Sequence, residues 1–583
     1  MAIRRRFGAQ FQGNGRTCFG LWAPDAREVR VETADGRDWP LEGSDSGWFE
    51  ATLPCPPGTR YRYRIDGRPG VPDPASQFQP DGVHGHSQVL DHGAYAWRVD
   101  EWRGRPWHEA VIYELHVGLF GSYAEVERFL PRLVELGVTA VELMPLGEFP
   151  GRRNWGYDGV LPFAPASAYG TPEQLKHLID SAHGMGLMVF VDVIYNHFGP
   201  DGNYLAQYAA AFFRDDRQTP WGQAIDFRRG EVREFFYENA LMWLLDYRVD
   251  GLRLDAVHAI PDSAFLVEMA RRLRGAAGPE RHVHLVLEND DNRASLLRQG
   301  YDAQWNDDGH HALHVLLTGE NDGYYPGLPR AAALPGALPG RRLRLPGRSQ
   351  PPRPAARRTE CRPGAGRLRA VSAKPRPGRQ PRLRRASQRP RRTQALRLAI
   401  ALQLLAPMIP LLFMGEECAA REPFLYFTDH QGELADAVRE GRRKEFGEFG
   451  RFGEGATLAS LPDPNAVETF ERSRPGLADC DPAWRGFYRQ LLEIRHEHLI
   501  PRLRGARSLG VTTIAGAALS ARWRLGDGSD WRIDFNPSPL EAEVEPPAAA
   551  TRVLFLDNLA CAEYRRGRLS PRSIAVSLEP AHE

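Results

Sequence analysis

The stretch Glu231–Ile260, "EVREFFYENALMWLLDYRVDGLRLDAVHAI", decides the fold. Its first half places Phe235, Leu241, Leu244 and Leu245 on one apolar helical face. Its second half, "VDGLRLDAV", is a short apolar run bounded by Gly and Asp. A helix that leads straight into an apolar strand is the repeating piece of a β/α protein. Arg253 and Asp255 stand two positions apart and share one side of that strand. The same alternation extends outward. Upstream come "AVIYELHV", the helical "YAEVERFLPRLVELG", "VTAVELMP", "EQLKHLIDSAHGMG" and "LMVFVDVIYNH"; downstream come "HVHLVLEND", "DAQWND" and "IPLLFMGEE". Apolar strands alternating with helices predict a parallel sheet. This many units without a GxGxxG turn predict an α/β fold of the (β/α)8 TIM-barrel type rather than a doubly wound sheet.

Two other patterns flank the barrel. Residues 1–97 carry short alternating runs such as "REVRVETADG" and "RYRYRIDGR" between Gly/Pro/Asp turns, as in a small antiparallel β-sandwich. The barrel is expected over 98–485, and "SARWRLGDGSDWRIDFN" marks a C-terminal antiparallel β domain over 486–583. Lys+Arg 75 against Asp+Glu 74 leaves net charge +1, so the whole chain is not a polyelectrolyte binder and neither nucleic acid nor membrane is expected as a partner. A monomer is the expected state. The six Cys are scattered without a CxxC pair, which predicts no disulfide framework, no zinc site and a reducing compartment. "MAIRRRFGAQ" is followed by no apolar run, so a cytoplasmic location is expected.

The active face of a β/α barrel lies at the strand C-termini. There the sequence places Glu114, His116, Glu142, Asp192, Asn196, His197, Arg253, Asp255, Glu288, Asn306 and Asp307. A ring of acids with His and Arg points to acid/base chemistry on a polar substrate, since acids ending apolar strands are costly unless paired or used. Arg253 would hold Asp255 ionised and aimed, as a nucleophile requires. Glu288 ends the apolar "HLVLE", where desolvation favours the protonated acid. An ionised nucleophile beside a neutral acid is the requirement for glycoside hydrolysis. The bland alternatives are an inert Arg–Asp pair and a Glu beside a helix N-cap. Trp155 and Tyr157 in the Gly-bounded "FPGRRNWGYDG", and Trp221 in "TPWGQAIDF", would serve as sugar platforms or simply pack. His197 and His258 lack HxH or HExxH spacing, so no metal and no cofactor is expected.

"VDVIYNH", "GLRLDAVH" and the Glu of "LVLEN" resemble the conserved regions of the α-amylase superfamily, glycoside hydrolase family 13. Longer motifs resemble its malto-oligosyltrehalose trehalohydrolase subgroup: "YELHVG", "VELMPLGEFPGRRNWGYDG", "AQWNDDGHHALHVLLTGE" and "PFLYFTDHQGELADAVREGRRKEF". The resemblance runs from about residue 10 to 325 and again from about 395, and "FGLWAPDAREVRV" resembles its immunoglobulin-like, carbohydrate-binding-type sandwich. It implies a retaining glycosidase acting on malto-oligosyltrehalose at the α-1,4 bond next to the terminal α,α-1,1-linked unit, with release of trehalose. It implies Asp255 as nucleophile and Glu288 as acid/base. Trp155, Tyr157, Asp158, His197, Trp221, Arg253, His258, Asn306, Asp307, Asp308 and His310 would bind substrate. Two positions depart from expectation, Asp291 in place of Arg and Gly309 in place of an aromatic. The rival readings are an α-1,4-glucan branching or debranching enzyme and a catalytically dead carbohydrate-binding protein.

One departure is larger. The superfamily uses a third carboxylate, in an "NHDQ"-like motif on the seventh strand, and the chain has no such motif. The seventh-strand place falls in Pro326–Gln394, which contains no Asp, Asn, His, Ile, Phe, Tyr or Trp and whose Pro/Arg/Gly/Ala composition predicts disorder. Within it, Lys374–Arg385 reads "KPRPGRQPRLRR". Codons allowed for those residues, read one nucleotide later, spell Asn-His-Asp-Gln-Val-Gly-Asn-Arg-Ala-Phe-Gly-Glu. The same shift across Leu343–Arg348 permits Phe-Val-Tyr-Gln-Gly-Glu. Two matches in one frame, in the expected order, point to compensating indels near Tyr325 and near Arg392–Gln394. Arg376 then stands where the third carboxylate belongs. A genuine basic tether for an anionic polymer is the alternative.

Overall fold

Eight strands open the chain: β1 (Gly8–Gly13), β2 (Arg16–Trp22), β3 (Val29–Thr33), β4 (Asp38–Pro40), β5 (Glu42–Gly43), β6 (Trp48–Leu53), β7 (Arg60–Ile65) and β8 (Ser87–Gln88). The computed structural model describes residues 5–219, 222–289, 294–306, 309, 313–314, 390–447, 461–514 and 518–581. The opening strands form two four-stranded antiparallel sheets, ordered β1-β2-β6-β5 and β4-β3-β7-β8. Period-two burial explains the sandwich: in β7, Tyr61, Tyr63 and Ile65 are buried while Arg60 faces solvent.

The central sheet contains β9 (Ile112–Leu115), β10 (Ala140–Leu143), β13 (Met188–Val193), β16 (Gly251–Leu254), β17 (His284–Leu287), β18 (Ala303–Gln304) and β19 (Leu411–Phe413). Two hairpins interrupt the series, β11 (Gly147–Glu148) with β12 (Leu161–Pro165) and β14 (Phe213–Thr219) with β15 (Gly222–Ile225). The seven strands are parallel in the order β18-β17-β16-β13-β10-β9-β19. β9, β10, β13, β16 and β17 are buried along their whole length, as strands covered on both faces must be. Helices bridge them. Tyr123–Leu136 is capped by Ser122 and stopped by Gly137 at φ 98°; Pro172–Gly184 starts in a Thr171/Gln174 capping box. Among the described residues this is the sequential order of a TIM barrel, with β18 and β19 as its two end strands. Residues 315–389 lie between those two strands in sequence, so the seventh-strand segment, Arg376 included, is outside the described residues. Burial is again described from Thr393, and the helix Pro390–Leu405 packs Leu398, Ile400, Leu402, Leu404 and Leu405 into the core.

The helix Gly230–Leu245 corrects the one-faced reading of its sequence. Val232, Phe235, Phe236, Tyr237, Leu241, Met242, Trp243 and Leu244 are all buried, whereas Leu245 is only partly covered. The N-terminal sandwich packs on it too: Phe7 meets Phe235 with ring centroids 5.1 Å apart. The Glu238 carboxylate accepts hydrogen bonds from the Arg6 and Phe7 amides (2.8 and 3.0 Å).

The helix Pro482–Ile494 runs across residue 486. Arg495 behind it donates to the carbonyls of Leu404, Ala406 and Met408 (2.9, 2.8 and 2.5 Å), satisfying the end of the helix Pro390–Leu405. The C-terminal strands follow: β20 (Arg507–Thr513), β21 (Leu519–Arg524), β22 (Asp530–Asn536), β23 (Ala542–Glu543), β24 (Arg552–Asp557), β25 (Arg568–Leu569) and β26 (Ser573–Glu579). They form a five-stranded antiparallel sheet, β20-β21-β22-β26-β24, and the pair β23-β25. Cys418 and Cys480, 62 positions apart, form a disulfide. Their spacing gives no sign of it, because the fold alone brings the turn after β19 against the start of the helix Pro482–Ile494. No helix among the described residues is long and apolar enough to cross a membrane.

Candidate active site

Strand register builds the site. Asp192 of β13 pairs with Arg253 of β16, and Leu254 with Leu287 of β17, so Asp255 and Glu288 leave adjacent strand ends together. Arg253 is fully buried, and a buried charge needs partners. Its Nη1 lies 2.6 Å from Asp192 Oδ1 and 2.8 Å from Asp255 Oδ1, and its Nη2 lies 2.7 Å from Glu288 Oε2. The Trp305 ring covers the guanidinium at 3.9 Å. Burial alone would push Arg253 down, but Asp192 and Glu288 hold it well above its ordinary value.

The carboxyls are differentiated by their surroundings. Burial pushes Asp192 up to about 7 despite Arg253. Burial also pushes Asp255 up, but the Arg253 charge outweighs it, helped by a hydrogen bond from Glu288, the nearby His197 and Asn196, and the result lies below the ordinary carboxylate value. Asn196 Nδ2 donates to Asp255 Oδ2 (3.0 Å) and to its carbonyl (2.9 Å). Ala256 N donates to Glu288 Oε2 (3.0 Å). Ala256 itself is left-handed, at φ 42°, turning the chain sharply after the nucleophile candidate.

Tyr157 sits half-buried on the loop between β11 and β12. Its hydroxyl donates to Asp192 Oδ2 (2.9 Å) and its carbonyl accepts from His197 Nε2 (3.1 Å). Burial lowers the His197 pKa, which favours a neutral ring. Asp158 accepts from Asn154 Nδ2 (2.6 Å) and lies 3.5 Å from His430 Nε2. Burial raises it, but His430 and Asn154 outweigh that and hold it low.

The structure thus brings together Asp255, Glu288, Arg253, His197, Tyr157 and Asp158. His258 is half-buried on the turn Val257–Ala259, and Asn306 Oδ1 accepts from Gly309 N (3.0 Å) across a turn. Trp155 differs from the platform expected of it. It is 3% exposed, stacks on Phe424 at 4.6 Å and donates its indole N–H to Leu425 O (2.8 Å), so its faces are used in packing. His116 leaves the acid ring as well: it caps a short helix through Leu119 N, contacts Asn154 O at 2.7 Å and is pushed by burial to about 4. Trp221, Asp307, Asp308 and His310 lie outside the described residues. Sequence reasoning did not single out the Trp305 cover, Asn154 or His430. No metal-holding cluster of His, Cys, Asp and Glu occurs among the described residues.

Three family models match the chain: "Carbohydrate-binding module 48 (Isoamylase N-terminal domain)" over residues 6–81, "Alpha amylase, catalytic domain" over 120–221 and "Domain of unknown function (DUF3459)" over 506–576. A malto-oligosyltrehalose trehalohydrolase from Deinococcus radiodurans is 38% identical over 575 residues, covering 95% of this chain and 93% of that protein. A 1,4-alpha-glucan branching enzyme from Rubrobacter xylanophilus is also 38% identical, but over 44% of this chain and 40% of its own length. A crystal structure from Salmonella typhimurium superimposes with TM-score 0.82 at 35% identity, covering 99% of this chain and all of that one.

Proposed function

The chain belongs to the malto-oligosyltrehalose trehalohydrolases of the α-amylase family, glycosidases by name and fold, and from that premise we propose that Asp255 and Glu288 hydrolyse malto-oligosyltrehalose with retention. One observation carries the assignment: a single guanidinium, that of Arg253, binds both carboxyls on neighbouring nitrogens. That gives the two carboxyls one shared anchor, which supports the close pair of a retaining enzyme, about 5–5.5 Å, over the wider pair of an inverting one.

The steps follow from these two roles. Asp255, ionised, attacks the anomeric carbon of the −1 glucosyl unit. Glu288 gives its proton to the departing glycosidic oxygen, and trehalose leaves. The malto-oligosyl chain is then an ester on Asp255. Glu288, now ionised, takes a proton from water, whose oxygen attacks the same carbon and frees Asp255. Tyr157 would stack on the −1 ring, and Arg253 and His197 would fix Asp255 and the sugar hydroxyls. Incubation with maltotriosyltrehalose tests this: free trehalose and a first-formed α-anomer support it, while transfer to amylose without trehalose would favour the branching reading.

We further propose that residues 326–394 are the out-of-frame reading of a seventh-strand segment. The two shifted-codon matches, in one frame and in the expected order, support it. Without the third carboxylate, loss of a preorganised transition-state group costs about 10²–10³ in rate. Native peptides containing "LPGRRLRLPGR" would refute the shifted reading.

A further inference from the structure

Two loops from strands that are not neighbours meet beside the site. One is the loop between β11 and β12, carrying Tyr157 and Asp158. The other follows β19 and carries Asp429 and His430. In the sheet, β9 separates β10 from β19, so this meeting spans a strand. The approach is tight. Arg152 N donates to Asp429 Oδ2 (2.8 Å), and the Arg153 guanidinium pairs with Asp429 Oδ1. Gly151 is left-handed at φ 78°, and a Cβ there would come within 2.5 Å of the Asp429 Cβ. His430 is buried, and its Nδ1 has no hydrogen-bond partner among the described residues, so the ring's polar contact is Nε2 to Asp158. The second loop is anchored in turn: Asn465 Oδ1 accepts from His430 N (3.0 Å) and Thr428 Oγ1 (2.7 Å).

We propose that Asp429 and His430 are positioning residues that clasp the Tyr157 loop and thereby set the −1 sugar platform. Among the described residues, the hydrogen bonds of Tyr157 itself come from the barrel side, at Asp192 and His197. The clasp supplies the opposite constraint through the adjacent Asp158. Neither residue need touch substrate. The proposal rests on the retaining-hydrolase reading above, and its test separates the two.

Hydrogen exchange is measured on the full chain, and kinetics with maltotriosyltrehalose on the same chain carrying the in-frame reading of 326–394. His430→Ala is expected to speed exchange in peptides covering 149–160 while leaving 188–193 protected. It should raise KM about tenfold, with a smaller change in kcat, since misplacement of about 1 Å costs up to 10²-fold. His430→Gln, which keeps an N–H for Asp158, should recover most of the loss. In a Tyr157→Ala background, His430→Ala should add nothing, because both act through one platform. An unchanged KM, an undiminished His430→Ala effect in the Tyr157→Ala background, or unaltered exchange at 149–160 would each overturn the clasp. A parent that releases no trehalose would instead sink the hydrolase reading, and the exchange data would then decide the clasp alone.

Discussion

Replacing Arg253 by Met keeps the apolar stem and removes the charge that three buried carboxyls share. Breaking a buried pair from one side costs about 3–5 kcal/mol, because the remaining charge is stranded. Here the cost depends on pH. Asp192 sits at about 7 in the folded protein, above the ordinary 3.8. The folded state therefore binds that proton more tightly than the unfolded chain. Its stabilising contribution is complete below about pH 4 and is lost as pH rises through about 7. Without Arg253, Asp192 rises further, and Asp255 loses what holds it low. Protonation then relieves the stranded charges in acid. The expected deficit is about 5 kcal/mol near pH 8, shrinking to about 3 kcal/mol or less near pH 5. Denaturant unfolding of the Arg253→Met chain beside the parent at both pH values measures it. A deficit that stays constant, or grows in acid, would refute the shared-guanidinium account.

Glu288→Gln removes the proton that the mechanism delivers to the leaving oxygen, and hydrolysis by the in-frame chain should fall about 10²–10⁴-fold; near-parental rates would remove Glu288 from the acid/base role. Cys480→Ser opens the 62-residue loop closed by the disulfide, and chain entropy predicts a loss of up to about 4 kcal/mol. A parent melting curve indifferent to dithiothreitol would contradict that. Trp155→Phe keeps the stack on Phe424 but loses the bond to Leu425 O. It should cost about 1–3 kcal/mol of stability and leave KM unchanged, whereas a KM rise of about tenfold would restore Trp155 as a platform.

The sheet was legible because its strands are short, largely apolar and separated by helical segments, as two-sided burial requires. The heart of the site was legible for a local reason: Arg253 and Asp255 differ by two positions on one strand, and Glu288 ends the next. What escaped notice depends on contacts remote in sequence. Trp155 looks like a platform until Phe424 stacks on it. The helix Gly230–Leu245 looks one-faced until its surroundings bury Phe236, Tyr237, Met242 and Trp243 as well. Neither the Cys418–Cys480 bond nor the meeting of His430 with Asp158 leaves a periodic trace, since the first joins the turn after β19 to a helix start 62 residues on and the second joins loops that follow different strands. The third carboxylate is a separate case, found by its absence from an otherwise complete set.

Trehalose release from maltotriosyltrehalose by two chains, one as written and one with residues 326–394 in the shifted frame, tests the central claim most directly. The account predicts turnover by the in-frame chain, with the first-formed α-anomer retained, and a rate lower by at least about 10²–10³ for the chain with Arg376. Equal rates from the two chains would contradict it.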